Sequence, residues 1–219
     1  MKNNQTYKFE QLRTQVTGVI LAGGQGTRMG GADKGWVEFR GKPLVEHVIE
    51  RLRAQTDHIL IVANRNTERY AQLSAQVVAD DISGFQGPLA GIHAALKSIS
   101  TPWALIVPTD APLFPLDLLQ QLGEQVLGTI SAAKFSSGTS HPDHPFLVHD
   151  GEREQPLFGL YPRSLVASLE RSLLAGERRL MRWCQEQRAE WIDFSTQRDA
   201  FANMNSPTEI QRYSKSPLV

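Results

Sequence analysis

Between Thr17 and Gly35 the chain reads TGVILAGGQGTRMGGADKG, and this stretch restricts the possible folds more than any other. Val19, Ile20 and Leu21 form a charge-free apolar run, the mark of a strand buried on both faces of a parallel sheet. Gly23, Gly24, Gly26, Gly30 and Gly31 follow, with Arg28, Asp33 and Lys34 set among them. Glycines at that density after a buried strand let the backbone double back and bring N–H groups close to an anion. A guanidinium adds a bidentate fork for phosphate oxygens, and an ammonium adds a point charge. The stretch is built to hold a polyphosphate.

Two familiar phosphate loops fail on spacing. A Walker loop requires G-x-x-x-x-G-K-[ST], whereas Lys34 follows Asp33 and precedes Gly35. A dinucleotide fingerprint counted from Gly24 puts Met29 where its last glycine should stand.

Downstream, apolar runs alternate with helical patterns. Trp36–Phe39 reads as a short strand, and a helix opens at Lys42-Pro43-Leu44 with its apolar face on Leu44, Val45, Val48, Ile49 and Leu52. His58–Val62 and Gln76–Ala79 read as strands, with a helix over Asn64–Ser74 between them. Gly87-Pro88-Leu89-Ala90-Gly91 starts another helix, and Trp103–Val107 is a strand ending in Pro108-Thr109-Asp110-Ala111-Pro112. A helix over Leu116–Val126 follows, then a Pro-rich loop over Ser136–Asp150. Beyond it come a turn and strand over Gly151–Tyr161, helices over Arg163–Leu174 and Glu177–Gln187, and a strand over Trp191–Phe194. The final helix is led by Pro207 and capped by Ser206. This alternation predicts an α/β fold: one doubly wound, mostly parallel sheet with helices on both faces, Rossmann-like in plan. Ligands of such sheets bind beyond the strands' carboxyl ends, where the glycine loop, Asp80 and Asp110 all fall.

At 219 residues and 41% hydrophobic content the chain suffices for one large domain, expected over 16–213. Residues 1–15 are expected to be a flexible extension and 214–219 a tail. Lys+Arg and Asp+Glu both number 23, so no overall basic field points to nucleic acid. The single cysteine, Cys184, rules out an internal disulfide and reads as a small buried hydrophobe beside Trp183. His141 and His144 stand three apart, but Pro142 and Pro145 oppose a helical metal pair, and the segment reads as a solvated loop. No apolar window reaches membrane-spanning length and no secretory core opens the chain, so the expectation is a cytoplasmic protein without a membrane partner.

The run L-A-G-G-x-G-T-R-M-G-G-x-D-K resembles the signature of nucleotidyltransferases, and most closely that of the molybdenum cofactor guanylyltransferases. The resemblance extends from about Val16 to Arg212. It takes in Gly87-Pro88-Leu89-Ala90-Gly91, Pro-x-Asp-x-Pro at 108–112, Asp150-Gly-Glu-Arg153, Gly176-Glu-Arg-Arg179 and Asn203-x-Asn205. It implies transfer of GMP from GTP to molybdopterin, releasing pyrophosphate, with Mg²⁺ as the cofactor. Transient delivery partners among molybdoenzymes are implied as well.

The resemblance also implies roles. Gly23 and Gly24 would hold the triphosphate, with Arg28 on the leaving phosphates and Lys34 near the reacting centre. Asp110 would be the Mg²⁺ ligand, while Asp80 would contact the nucleoside or a second metal. Leu21 and Ala22 would meet guanine through backbone groups, and Gly87, Pro88 and Leu89 would close over base or ribose. Arg178, Arg179, Asn203 and Asn205 would face the pterin, with Arg182 nearby. Local structure offers alternatives: a turn or helix cap for Asp110, a strand-end turn for Asp80, a solvated helix face for the arginines. The chain departs from the family pattern at Gln155, where His is frequent, at Thr109, and in the length of the 136–149 loop. Competing functions are a cytidylyltransferase or sugar-phosphate nucleotidyltransferase of the same superfamily, or a non-catalytic GTP-binding adaptor in cofactor delivery.

Overall fold

The computed structural model describes residues 10, 12–23, 33–80, 87–136 and 142–214. β1 (Val16–Leu21) is buried along its whole length and lies inside a seven-stranded sheet. It pairs in parallel with β4 (His58–Val62) on one side and β6 (Trp103–Pro108) on the other, so Ile20 is in register with both Ile61 and Val107. Beyond β4 lies β5 (Gln76–Val78), also parallel. Beyond β6 lies β8 (Glu154–Pro162), antiparallel both to β6 and to β7 (Phe146–His149). The far edge is β9 (Glu190–Asp193), parallel to β7. The expected mostly parallel, doubly wound sheet is present, with one reversed strand. β2 (Glu38–Phe39) and β3 (Lys42–Pro43) form a separate small hairpin.

Period-two alternation along the central strands creates two cores. Val16, Ile20, Leu105 and Val107 face α1 (Leu44–Arg53) and α4 (Leu118–Ser136), where Val48, Leu52, Leu118 and Leu122 meet them. Val19, Leu21, Ala104 and Ile106 face α3 (Pro88–Ser98), α5 (Val166–Leu174) and α6 (Leu180–Glu186), through Leu89, Ile92, Leu169 and Trp183. Each fully buried leucine or isoleucine there contributes about 1.5–3 kcal/mol. Cys184 sits within this second core as expected, and burial pushes its thiol up to about 12.

Several sequence expectations are corrected. The segment 136–150 is not all loop, because Phe146, Leu147 and Val148 are fully buried in β7, directly after the prolines that mask the strand. The helix expected to stop at Val126 continues to Ser136 as α4. The helix expected over Asn64–Ser74 shrinks to α2 (Thr67–Ala71): its N-cap Asn66 takes a left-handed φ of 53°, and beyond the C-cap Gln72 the chain turns off, with Ser74 at φ 54°. Lys42-Pro43 belongs to β3, and α1 begins only at Leu44. Leu12, in the segment expected to be an extension, is buried in the first core, and Arg13 pairs with Asp57 at 2.8 Å. The fold therefore begins before Val16. The final helix, α7 (Pro207–Ser214), carries the expected cap: the Glu209 N–H donates to Ser206 Oγ at 3.2 Å. The Glu209 carboxylate reaches back to accept from the Asn205 N–H and the Ser206 hydroxyl, both at 2.9 Å, which ties the helix start to the turn before it.

Candidate active site

The four parallel strands β5, β4, β1 and β6 deliver their carboxyl ends to one edge of the sheet. Backbone bonds continue past the strands and tie these ends together. Ala22 N–H donates to Val62 at 2.9 Å, Ala63 N–H to Val78 at 2.9 Å, and Thr109 N–H to Leu21 at 3.2 Å. The first residues of the glycine loop, Asp80 and Asp110 thus share one rim. Gly24 and Arg28 lie outside the described residues.

Lys34 stands at the centre of a polar convergence. Its Nζ donates to Asp110 Oδ2 at 3.0 Å and to Asn205 Oδ1 at 2.5 Å. The three residues come from the loop after β1, the end of β6 and the turn before α7. Lys34 and Asp110 keep 25% and 17% of their side chains exposed, enough to be reached from solvent yet screened from bulk water. Two buried oxygens beside them, Thr109 Oγ1 and Asn203 Oδ1, lack hydrogen-bond partners among the described residues.

Asp80 is half-buried and held by Asn64, whose Nδ2 donates to Asp80 Oδ2 at 2.6 Å and whose Oδ1 accepts the Asp80 N–H at 3.0 Å. Gly23 is exposed, with no atom of the described residues within 4 Å of the position a Cβ would take. Leu21 and Leu89 are buried in the second core, so any ligand contact they make is through backbone. Gly87 takes φ 74° and Pro88 opens α3 directly behind it. A Cβ at Gly87 would lie 3.8 Å from the Arg178 carbonyl oxygen, which puts the 176–179 turn beside the start of α3.

The four residues expected to face a pterin divide into two pairs. Asn205 joins the Lys34 convergence, and Asn203 stands two residues before it in the same turn. Arg178 and Arg179 instead wall a concavity of about 450 Å³ together with Arg182, Glu177 and Glu186. Arg178 is tied to the Leu173 and Glu177 carbonyls at 2.9 and 2.7 Å, and Arg179 Nε lies 3.3 Å from Glu177. The Arg179 N–H, with the Arg178 N–H behind it, holds the Glu177 carboxyl down to about 2 against the opposing effect of burial. Gln155 is likewise occupied: its Nε2 donates to Asp150 Oδ2 at 2.6 Å, fixing the turn between β7 and β8.

Sequence reasoning gave Asn64, Asn66 and Tyr70 no role beyond a helical pattern, and left Asp33 unassigned within the loop. Tyr70 donates to Asp33 Oδ1 at 2.7 Å and Asn66 to Asp33 Oδ2 at 3.0 Å. The available signal was the pair Asn64 and Asn66 between a buried strand and a short helix that carries Tyr70.

The MobA-like NTP transferase domain matches residues 18–191. A molybdenum cofactor guanylyltransferase from Pasteurella multocida is 44% identical over 193 residues, covering 88% of this chain and 96% of that protein. The chain belongs to the molybdenum cofactor guanylyltransferase family. Another relative of the same name, from Vibrio parahaemolyticus, is 38% identical over 202 residues, covering 92% of this chain and 96% of its own. The fold also matches the crystal structure of molybdopterin-guanine dinucleotide biosynthesis protein A from Archaeoglobus fulgidus. That match has a TM-score of 0.68 at 24% identity and covers 91% of this chain and 97% of the other. The chain is thus a nucleotidyltransferase of molybdenum cofactor biosynthesis, and the rim at the strand ends is its candidate active site. No helix among the described residues is long and apolar enough to cross a membrane.

Proposed function

We propose that the chain transfers GMP from GTP to molybdopterin, forming the guanine dinucleotide cofactor and pyrophosphate. A terminal phosphate oxygen of the pterin attacks the α-phosphorus, and the bond to the pyrophosphate oxygen breaks. The observation that carries this reading is the meeting of Lys34, Asp110 and Asn205 at the carboxyl ends of the parallel strands. Two anionic reactants must be brought together and their growing charge met, and a fixed ammonium beside a carboxylate suits that task.

In this reading Gly23 and Gly24 hold the triphosphate with backbone N–H groups, and Arg28 binds the leaving phosphates. Lys34 stands near the reacting phosphorus. Leu21 and Ala22 meet guanine through backbone groups, Asp80 meets the nucleoside, and the Gly87-Pro88-Leu89 turn closes over it. Asn203 and Asn205 orient the acceptor phosphate, and Arg178 and Arg179 offer charge further along the pterin. The guanylyl reading is favoured over a cytidylyl one by the names of the 38–44% identical relatives. A cytoplasmic setting and transient hand-over to molybdoenzymes come with the family resemblance.

The donor set fits Mg²⁺. Asp110 offers one carboxylate, and no group of three or more His, Cys, Asp or Glu side chains gathers among the described residues. A single carboxylate would hold such an ion together with nucleotide phosphates and waters. Held by Asp110, Mg²⁺ would supply positive charge against the negative charge of the reacting phosphates.

The test is pyrophosphate release with each of the four NTPs, with and without molybdopterin. Release that needs both GTP and molybdopterin is expected. Comparable release with CTP, or none with any NTP, overturns the reading.

A further inference from the structure

Lys34 lies between two residues that the fold pins in place. Asp33, before it, accepts three hydrogen bonds: from the Tyr70 hydroxyl at 2.7 Å, the Gly35 N–H at 3.1 Å and Asn66 Nδ2 at 3.0 Å. Gly35, after it, lies so close to Tyr70 that a Cβ there would come within 2.3 Å of the hydroxyl oxygen. The Lys34–Trp36 turn closes with the Val37 N–H on the Lys34 carbonyl at 3.0 Å. Tyr70 is fully buried, its ring centroid 5.1 Å from that of Trp36, and the Arg69 guanidinium lies 3.7 Å from the Trp36 ring. Phenylalanine would fill the same core volume, so the hydroxyl is there for its bond to Asp33. That hydroxyl keeps its proton, because burial and then the Asp33 carboxylate push its ionisation well above the ordinary tyrosine value.

We propose that Tyr70 is a positioning residue for the transfer step: through Asp33, its hydroxyl fixes the turn that aims the Lys34 ammonium at the reacting phosphates. The inference rests on the role given to Lys34 above. Tyr70 touches neither substrate in this arrangement. It acts by keeping one end of a long side chain from wandering, and a small misplacement of such a group carries a large kinetic cost. Asn66, exposed and bonded to the other Asp33 oxygen, shares the task from the surface.

The experiment is a double-mutant cycle on turnover, read by pyrophosphate release from GTP and molybdopterin, with GTP affinity measured by titration. Tyr70→Phe should lower kcat about tenfold and change GTP affinity less than about twofold. Added to Lys34→Ala, it should change kcat less than about twofold, since the group it positions is gone. Asn66→Ala should act in the same direction, more weakly, without disturbing the core. A Tyr70→Phe deficit that persists in full in the Lys34→Ala background overturns the proposal and leaves Lys34 its role. Wild-type kcat in Tyr70→Phe, or equal losses of kcat and GTP affinity, also overturns it. Wild-type turnover in Lys34→Ala overturns both the proposal and the reading of Lys34 beneath it.

Discussion

The backbone N–H of Met204 donates to the carbonyl oxygen of Asp110 at 2.7 Å. This bond docks the Asn203-x-Asn205 turn onto the end of β6, so Asn205 and Asp110 reach the same lysine ammonium. The backbone hydrogen bond fixes the turn, so neither side chain is needed to hold it and both meet Lys34. Asp110 therefore has two separable jobs, its main chain holding the turn and its carboxylate meeting cations.

That separation makes Asp110→Asn informative. The backbone bond to Met204 is kept and the side-chain shape is preserved, so the melting temperature should move little. Turnover should fall on the order of a hundredfold or more, roughly 2.7 kcal/mol of transition-state stabilisation, because the carboxylate facing Lys34, the proposed Mg²⁺ ligand, is lost. Pyrophosphate release at saturating Mg²⁺ measures it. A near-normal rate would take Asp110 out of the metal role.

The parts of this rim differ in how they were legible. β1 and β6 could be read because a strand buried on both faces is a run without charges, and Asp110 could be placed because it ends such a run. β7 could not, since Pro142 and Pro145 dominate its neighbourhood and only Phe146, Leu147 and Val148 carry the strand. The length of α4 was hidden by the weak amphipathicity of the chain beyond Val126. The Asp33–Tyr70 bond was not legible at all. It joins a loop to a five-residue helix from another part of the chain, a tertiary contact that no local periodicity announces.

Gly35 is predicted to be intolerant of a methyl group. An alanine Cβ would come within 2.3 Å of the Tyr70 hydroxyl oxygen and 3.1 Å of Thr109 Oγ1. The tyrosine tip cannot swing away cheaply, because its ring is fully buried and its hydroxyl is bonded to Asp33. Gly35→Ala should destabilise the fold by about 1–3 kcal/mol, the usual range for overpacking. Urea unfolding checks it, and an unchanged midpoint would show that the turn relaxes freely.

Glu177 gives a pH signature. Its folded carboxyl is held at about 2 against an ordinary 4.5, chiefly by the Arg179 N–H, with burial opposing and the Arg178 N–H assisting. A depressed folded value means that the stabilisation is fully present above 4.5 and is lost as pH falls towards 2. The advantage of the wild type over Glu177→Gln should therefore be constant above that window and shrink steadily within it. Denaturant midpoints of the two proteins across acid pH test this. An advantage that stays level down to about pH 2 would contradict the assignment.

Lys34 separates catalysis from nucleotide capture. Its ammonium, held between Asp110 and Asn205, sits where charge is expected to grow as the α-phosphoryl group moves. In the proposed reading, loop N–H groups would hold the triphosphate alike in ground and transition states. Only interactions that strengthen in the transition state accelerate the step, so Lys34→Ala should lower kcat more than it weakens GTP binding. Lys34→Arg should rescue little. A planar fork on a longer stem does not replace a compact charge seated between a carboxylate and an amide oxygen, with its backbone pinned at Asp33 and Gly35. GTP affinity by titration and turnover by pyrophosphate release, at matched ionic strength because exposed charges are screened, decide the matter. Weakened binding with an unchanged saturated rate would make Lys34 a binding residue and remove it from the chemical step.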